Sequence, residues 1–248
     1  MALAYSNIGQ YKDAIQSYSN ALEVNPNKLD TRVLLSDALF KHVMENSNAD
    51  DSIEIATQAL EHIDLCIEHG SRKYPRSYYL RCELGRFVGE SDDINFQYCK
   101  AAIEANQVWK SDDVPAIFLV LEDVVLHTIG QMFKEAGNTI EATEYFSQGL
   151  AINPNSVDLL VNLASIYSDQ TEYALATEYF NRAESVVSDP QVRSLLMTNR
   201  GWTMEKQGFH LAAMQIYNDA INIAPNPHPQ LKLNLDNIER YCEQNLCN

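Results

Sequence analysis

The apolar positions of this chain recur with a helical period, and the helices they predict recur in turn as pairs. Leu126, Ile129, Gly130 and Phe133 fall at i, i+3, i+4 and i+7 and so share one stripe of a helix. Ala142, Phe146 and Gly149 form the stripe of the next one. Between them, Gly137-Asn138 supplies a residue that tolerates positive φ and ends the first helix, and Pro154 in Asn153-Pro154-Asn155 ends the second. This spacing is used four times: Ala2, Tyr5, Ala14, Tyr18, Ala21; Gly130, Phe133, Ala142, Phe146, Gly149; Ala164, Tyr167, Ala176, Phe180, Ala183; and Gly201, Met204, Ala213, Tyr217, Ala220. Small residues let two antiparallel helices approach, and aromatics fill the space left beside them.

Two further stretches follow the pattern loosely. Leu35-Ser36-x2-Leu39 joins Ile53, Ala56 and Ala59 across the polar run at residues 45–51, which reads as an insertion in the turn. Leu84-Gly85-x2-Val88 with Ile94-x3-Tyr98-x2-Ala101 reads as a degenerate copy. After Pro225, Pro227 and Pro229, the residues Leu231, Leu235, Ile238 and Tyr241 stand at helical spacing and predict a closing helix. The predicted organisation is one array over 1–248, with repeats near 1–27, 28–70, 74–107, 114–154, 155–189 and 190–226 and a capping helix at 228–245. The first unit starts at its small Ala2, so most of a first helix is expected to be missing, leaving Ile15, Tyr18 and Leu22 partly uncovered, as in a fragment or a shortened product.

These residues resemble the tetratricopeptide repeat (TPR) family, whose signature is Trp-x2-Leu-Gly-x2-Tyr, then Ala-x3-Phe, then Pro, at a period of about 34 residues. The resemblance implies an all-α fold, a right-handed α-solenoid of antiparallel helix pairs. It also implies a non-catalytic scaffold or adaptor that binds a protein or peptide segment along the first helices of successive units. The family often places Asn just before the Leu-Gly pair, where its amide meets a bound backbone. Asn162 and Asn199 occupy that place, Thr128 stands at the matching site, and the closing helix offers Asn234. His127, Gln131, Ser165 and Trp202 are expected to face the same channel, Trp202 either as a binding anchor or packed on the neighbouring repeat. The family class that grips a chaperone's C-terminal carboxylate uses Lys, Lys and Arg where this chain has His127, Leu195 and Asn199, with Gln131 and Asn162 at its two Asn positions, so that ligand is not expected. An alternative is a substrate-recruiting or regulatory region of a larger enzyme such as a glycosyltransferase.

Charge narrows the partners. Eighteen basic residues face 34 acidic ones, a net charge of −16, and nucleic acid needs a cationic surface to displace its counterions, so no nucleic-acid binding is expected. No apolar run is expected to span a bilayer, and the N-terminus is not a signal peptide. Five cysteines, Cys66, Cys82, Cys99, Cys242 and Cys247, show no pairing pattern, which favours a reducing, cytoplasmic setting. One local exception to the acidity is Arg72, Lys73, Arg76, Arg81 and Arg86, a patch that either receives an acidic segment or is a solvated face. His62, Cys66 and His69 line one helix face, but no nearby fourth ligand completes a zinc set and the face flanks a packing stripe of Ile53, Ala56, Leu60, Ile63 and Ile67, so no metal is expected. No cofactor motif is present. The pairs Asp50-Asp51, Asp92-Asp93 and Asp112-Asp113 precede predicted helices and read as caps rather than as catalytic carboxylates.

Overall fold

The computed structural model describes residues 2–70, 74–108 and 115–245. Among these residues the chain is all-α, with no strand. It divides into two compact units, residues 1–132 and 133–248.

The first unit contains α1 (Ala2–Asn7), α2 (Tyr11–Val24), α3 (Leu29–Glu45), α4 (Ser52–His69), α5 (Pro75–Val88) and α6 (Asp92–Val108). A single 3-10 turn (Ala116–Phe118) and most of α7 (Glu122–Glu135) complete it. From α1 to α6 each helix packs on the next in the chain. Tyr18 and Leu22 are buried here, and α2 packs against α3, so the expected uncovered face is limited to the half-buried Ile15.

The degenerate pair α5–α6 departs from the expected register by one residue. Ile94 is 48% exposed, whereas Asn95, Cys99 and Ala102 are buried and carry the x3, x2 spacing instead. A Cβ at Gly85 would run into the Asn95 amide oxygen, which shows how closely the two backbones approach. The same shift turns Cys99 toward Cys82, and the two form a disulfide with Cα atoms 5.4 Å apart. The expectation of unpaired thiols is therefore wrong for this pair, and the reducing setting no longer rests on it. In α4 the correction is similar: Ile53 is exposed, and Ser52, Ala56 and Ala59 form the packing row. Ser36 donates to the carbonyl of Ala59 at 3.0 Å across that contact.

An 18-residue window within residues 116–135 is apolar enough by composition alone to match a membrane span, although Glu122 and Asp123 interrupt the apolar run. Half of that window is buried, and the chain leaves helical geometry at residues 119–121. Asn106 donates to the Val120 carbonyl at 2.6 Å, and Phe118 stacks on Tyr74 with centroids 4.3 Å apart, so this segment is fastened to the first unit.

The second unit contains α8 (Thr139–Ile152), α9 (Val157–Asp169), α10 (Tyr173–Val186), α11 (Pro190–Lys206), α12 (His210–Ile223) and α13 (Pro229–Asn245), each packed on the next. Here the small-against-aromatic rule is visible directly: a Cβ at Gly201 would lie 2.5 Å from Cε1 of the fully buried Tyr217. The turn within α7–α8 has Gly137 at φ +80°, while the turn between α9 and α10 forces Thr171 to φ +64°. Leu231 and Ile238 of α13 are buried against α12 as a closing helix requires, though Tyr241 is half exposed with its ring on His210.

The carboxylate pairs are only partly caps. Asp51 stands at the N-cap of α4 without a side-chain cap bond, Asp92 and Asp93 lie in the first turn of α6, and Asp112-Asp113 lie outside the described residues. Asp189 does cap α11, accepting from the backbone N–H of Gln191 at 2.7 Å and of Val192 at 3.3 Å.

Candidate partner-binding groove

The orientation of α11 follows from its sequence. Pro190 at the first helical position and the Asp189 cap fix its start. The contact of Gly201 with Tyr217, and the Ser194 hydroxyl donating to the Ala220 carbonyl at 2.8 Å, lock one face onto α12. That rotation leaves Leu195, Asn199 and Trp202 on another face. Toward α9, the hydroxyls of Ser168 and Thr203 share a buried hydrogen bond of 3.2 Å.

Above that bond lies a cavity of about 270 Å³ lined by Asn162, Ser165 and Asp169 of α9, Asn199 and Trp202 of α11, and Lys134 from the end of α7. A second cavity, of about 390 Å³, lies between α11 and α13 and is lined by Leu195, Asn199, Trp202, His228, Gln230 and Asn234. Asn199 and Trp202 belong to both. Trp202 is 40% exposed and lines both cavities. The Lys206 ammonium lies 5.1 Å from its ring centroid.

Four of the expected groove residues thus come together: Asn162, Ser165, Asn199 and Trp202. Their roles are unequal. The Asn162 amide oxygen accepts from Lys134 at 3.0 Å and its NH2 donates to the Asp158 carbonyl at 3.0 Å, so both ends of this amide are occupied. The Asn199 side chain makes no hydrogen bond among the described residues, so its donor and acceptor are both available. The other three expected residues belong to the first unit. Thr128 does not line a groove: it is 2% exposed and donates to Glu83 at 2.5 Å. His127 and Gln131 are half-buried on α7.

The basic patch is corrected. Arg72 and Lys73 lie outside the described residues. Arg76 is paired with the buried Asp37, and Arg81, itself 7% exposed, donates to Asp64 and Glu90 at 2.6 Å each while lying over the Tyr98 ring. Arg86 sits 3.7 Å from Glu83. Arg76 and Arg81 connect helices, and Arg86 pairs within α5, which charge counting along the sequence could not reveal because Asp37 and Asp64 lie far upstream.

The His62, Cys66 and His69 face is not assembled as a metal site, and no group of three ligating side chains occurs among the described residues. Arg32 donates to His62 Nδ1 at 2.7 Å, Cys66 is buried with Sγ 3.4 Å from the Leu29 carbonyl, and the His69 ring is largely exposed. Burial pushes the Cys66 thiol up to about 12, against the opposing pull of Arg32, so it stays protonated at neutral pH.

Sequence reasoning missed Lys134, Asp169 and Lys206. Lys206 was legible as the residue four after Trp202 on the same helix; Lys134 and Asp169 become neighbours only through packing.

Family models of the tetratricopeptide repeat match residues 1–28 and 157–186. No curated protein matches the chain. Among solved structures, a tetratricopeptide repeat protein from Parabacteroides merdae is similar with a TM-score of 0.65 at 15% identity, covering 98% of this chain and 84% of that one. PilF of Pseudomonas aeruginosa gives 0.62 at 15% identity, covering 97% and 94%. YrrB, described as a TPR protein with an unusual peptide-binding site, gives 0.58 at 16% identity, covering 90% and 100%. At these identities the likeness concerns the fold.

Proposed function

We propose, from the premise that the chain belongs to the tetratricopeptide-repeat family, that it is a non-catalytic scaffold whose second unit holds an extended segment of a partner polypeptide along α9, α11 and α13. The observation that carries this reading is the sharing of Asn199 and Trp202 by two adjoining cavities. An unengaged amide supplies both a donor group and an acceptor, which suits any peptide backbone, and an exposed indole supplies apolar area at low entropic cost. A repeat array presents such groups in a row because each helix pair repeats the orientation of the last.

Affinity capture with mass spectrometry, run in parallel with the native chain and an Asn199→Ala, Trp202→Ala variant, identifies segments that depend on the groove. For such a segment, Trp202→Ala alone should weaken binding by about 2 kcal/mol or more, read by titration calorimetry. Trp202 is 40% exposed and lies outside the buried core, so the fold should survive, as circular dichroism would check. Partners held equally by both forms would remove the groove assignment.

A further inference from the structure

Resting on that reading, we propose that the segment held by the second unit is bipartite: a lysine or arginine side chain enters the cavity between α9 and α11, and an apolar side chain enters the cavity between α11 and α13, with Trp202 between them. The two cavities differ in a way that selects these side chains. The one between α9 and α11 contains the Asp169 carboxylate, the Ser165 hydroxyl and one side of the Trp202 indole. The one between α11 and α13 holds no carboxylate, lysine or arginine, and Leu195 and Trp202 supply its apolar surface among the polar side chains of Thr198, Asn199, His228, Gln230 and Asn234.

The chain already demonstrates the cation chemistry on itself. Lys206 holds its ammonium 5.1 Å from the Trp202 centroid, the geometry of a cation–π contact. A partner cation on this indole takes Lys206's role and gains the Asp169 carboxylate as well. Lys134, the cation that lines that cavity, is held by the Asn162 amide oxygen. Asp158 and Asp169, eleven residues apart on α9 with Asn162 and Ser165 between them at helical spacing, make no ion pair among the described residues. Beyond the cavities, residues 133–248 hold seven basic and fourteen acidic residues, and Arg200 is spent on Glu184 at 2.7 Å. The field therefore steers a basic segment inward, and an acidic one away.

A random dodecapeptide library displayed on phage and panned on the full chain, with counter-selection on Trp202→Ala, tests this. Enriched peptides should pair a lysine or arginine with an aliphatic or aromatic residue. Synthesised and titrated by calorimetry, they should lose about thirtyfold in affinity with Trp202→Ala and about fivefold with Asp169→Asn. Asp219→Asn, the same charge change on α12 at a residue bordering neither cavity, should leave affinity unchanged. Equal losses from Asp169→Asn and Asp219→Asn would mean diffuse attraction and overturn the proposal. Trp202-dependent peptides that are neutral or acidic would overturn it while leaving the groove reading in place, and a library with no Trp202-dependent member would overturn both.

Discussion

The pairs α5–α6 and α11–α12 solve one packing problem with different chemistry. In α11–α12 a glycine faces an aromatic: Gly201 leaves room, Tyr217 fills it, and the buried phenol donates to Glu205 at 3.0 Å. In α5–α6 a glycine faces an amide, Gly85 against Asn95, and the position four residues on, where the other pair has Tyr217, is Cys99, bonded to Cys82. Arg81, with Asp64 and Glu90, closes the pair at its polar edge. The helix pair thus demands close approach at the small residue but does not demand an aromatic beside it. Where the apolar contact is thin, a covalent link and an ion-pair network occupy the same place.

The comparison breaks most sharply at Tyr217. Replacing it by Ala removes a fully buried ring and leaves Gly201 facing a void, a loss of about 4 kcal/mol. Hydrogen exchange followed by mass spectrometry should show protection falling in α11–α13 while α3–α6 is unaffected. The counterpart is the disulfide. Closing a loop of 17 residues, it constrains the unfolded chain by about 3 kcal/mol. The Cys82→Ser, Cys99→Ser double variant should lose protection in α5–α6 and leave α11–α13 untouched. If the two variants lost protection over the same segments, the idea of independent local solutions would fail.

The unevenness of these pairs also sets what the sequence disclosed. Four units advertise the fold because their small and aromatic residues sit at invariant spacing, and Gly137 marks its turn because few other residues take positive φ. Those signals are local. The register of α6 was not legible, since Ile94 and Tyr98 match the apolar pattern better than Asn95 and Cys99 do; tertiary pairing with Cys82 overrules it. The groove was half legible: helical spacing brings Asn199 and Trp202 to one face of α11. Nothing along the chain shows that Lys134, 28 residues before Asn162, ties up that amide, or that Arg76 and Arg81 are turned onto acids from α3 and α4.

A smaller effect lies at the turn between α9 and α10. Thr171 takes φ +64° where Gly137 and Gly208 take φ +80° and φ +86° in the corresponding turns. A β-branched residue in the left-handed region carries steric strain of about 1–2 kcal/mol, while glycine adds some entropy to the unfolded chain. The strain is the larger, so Thr171→Gly should stabilise the second unit by about 1 kcal/mol, raising its melting temperature. Gly137→Thr should do the reverse. An unchanged melting temperature in both would show that the loop relaxes without cost.

The smallest effect is titratable and belongs to the first unit. Arg32 donates to the Pro26 carbonyl at 2.9 and 3.1 Å and to His62 Nδ1 at 2.7 Å, and accepting at Nδ1 requires the neutral imidazole. Burial lowers the His62 pKa from its ordinary 6.5, and the Arg32 guanidinium lowers it further against a weaker opposing pull from Glu61. The unfolded chain therefore binds this proton first as pH falls, so the contribution is fully present above 6.5 and is lost progressively below it. In His62→Gln the side-chain oxygen still accepts from Arg32 but does not titrate. The melting temperature of native protein should fall more steeply than that of His62→Gln as pH drops below that value, and parallel curves would show that His62 leaves its place before it protonates.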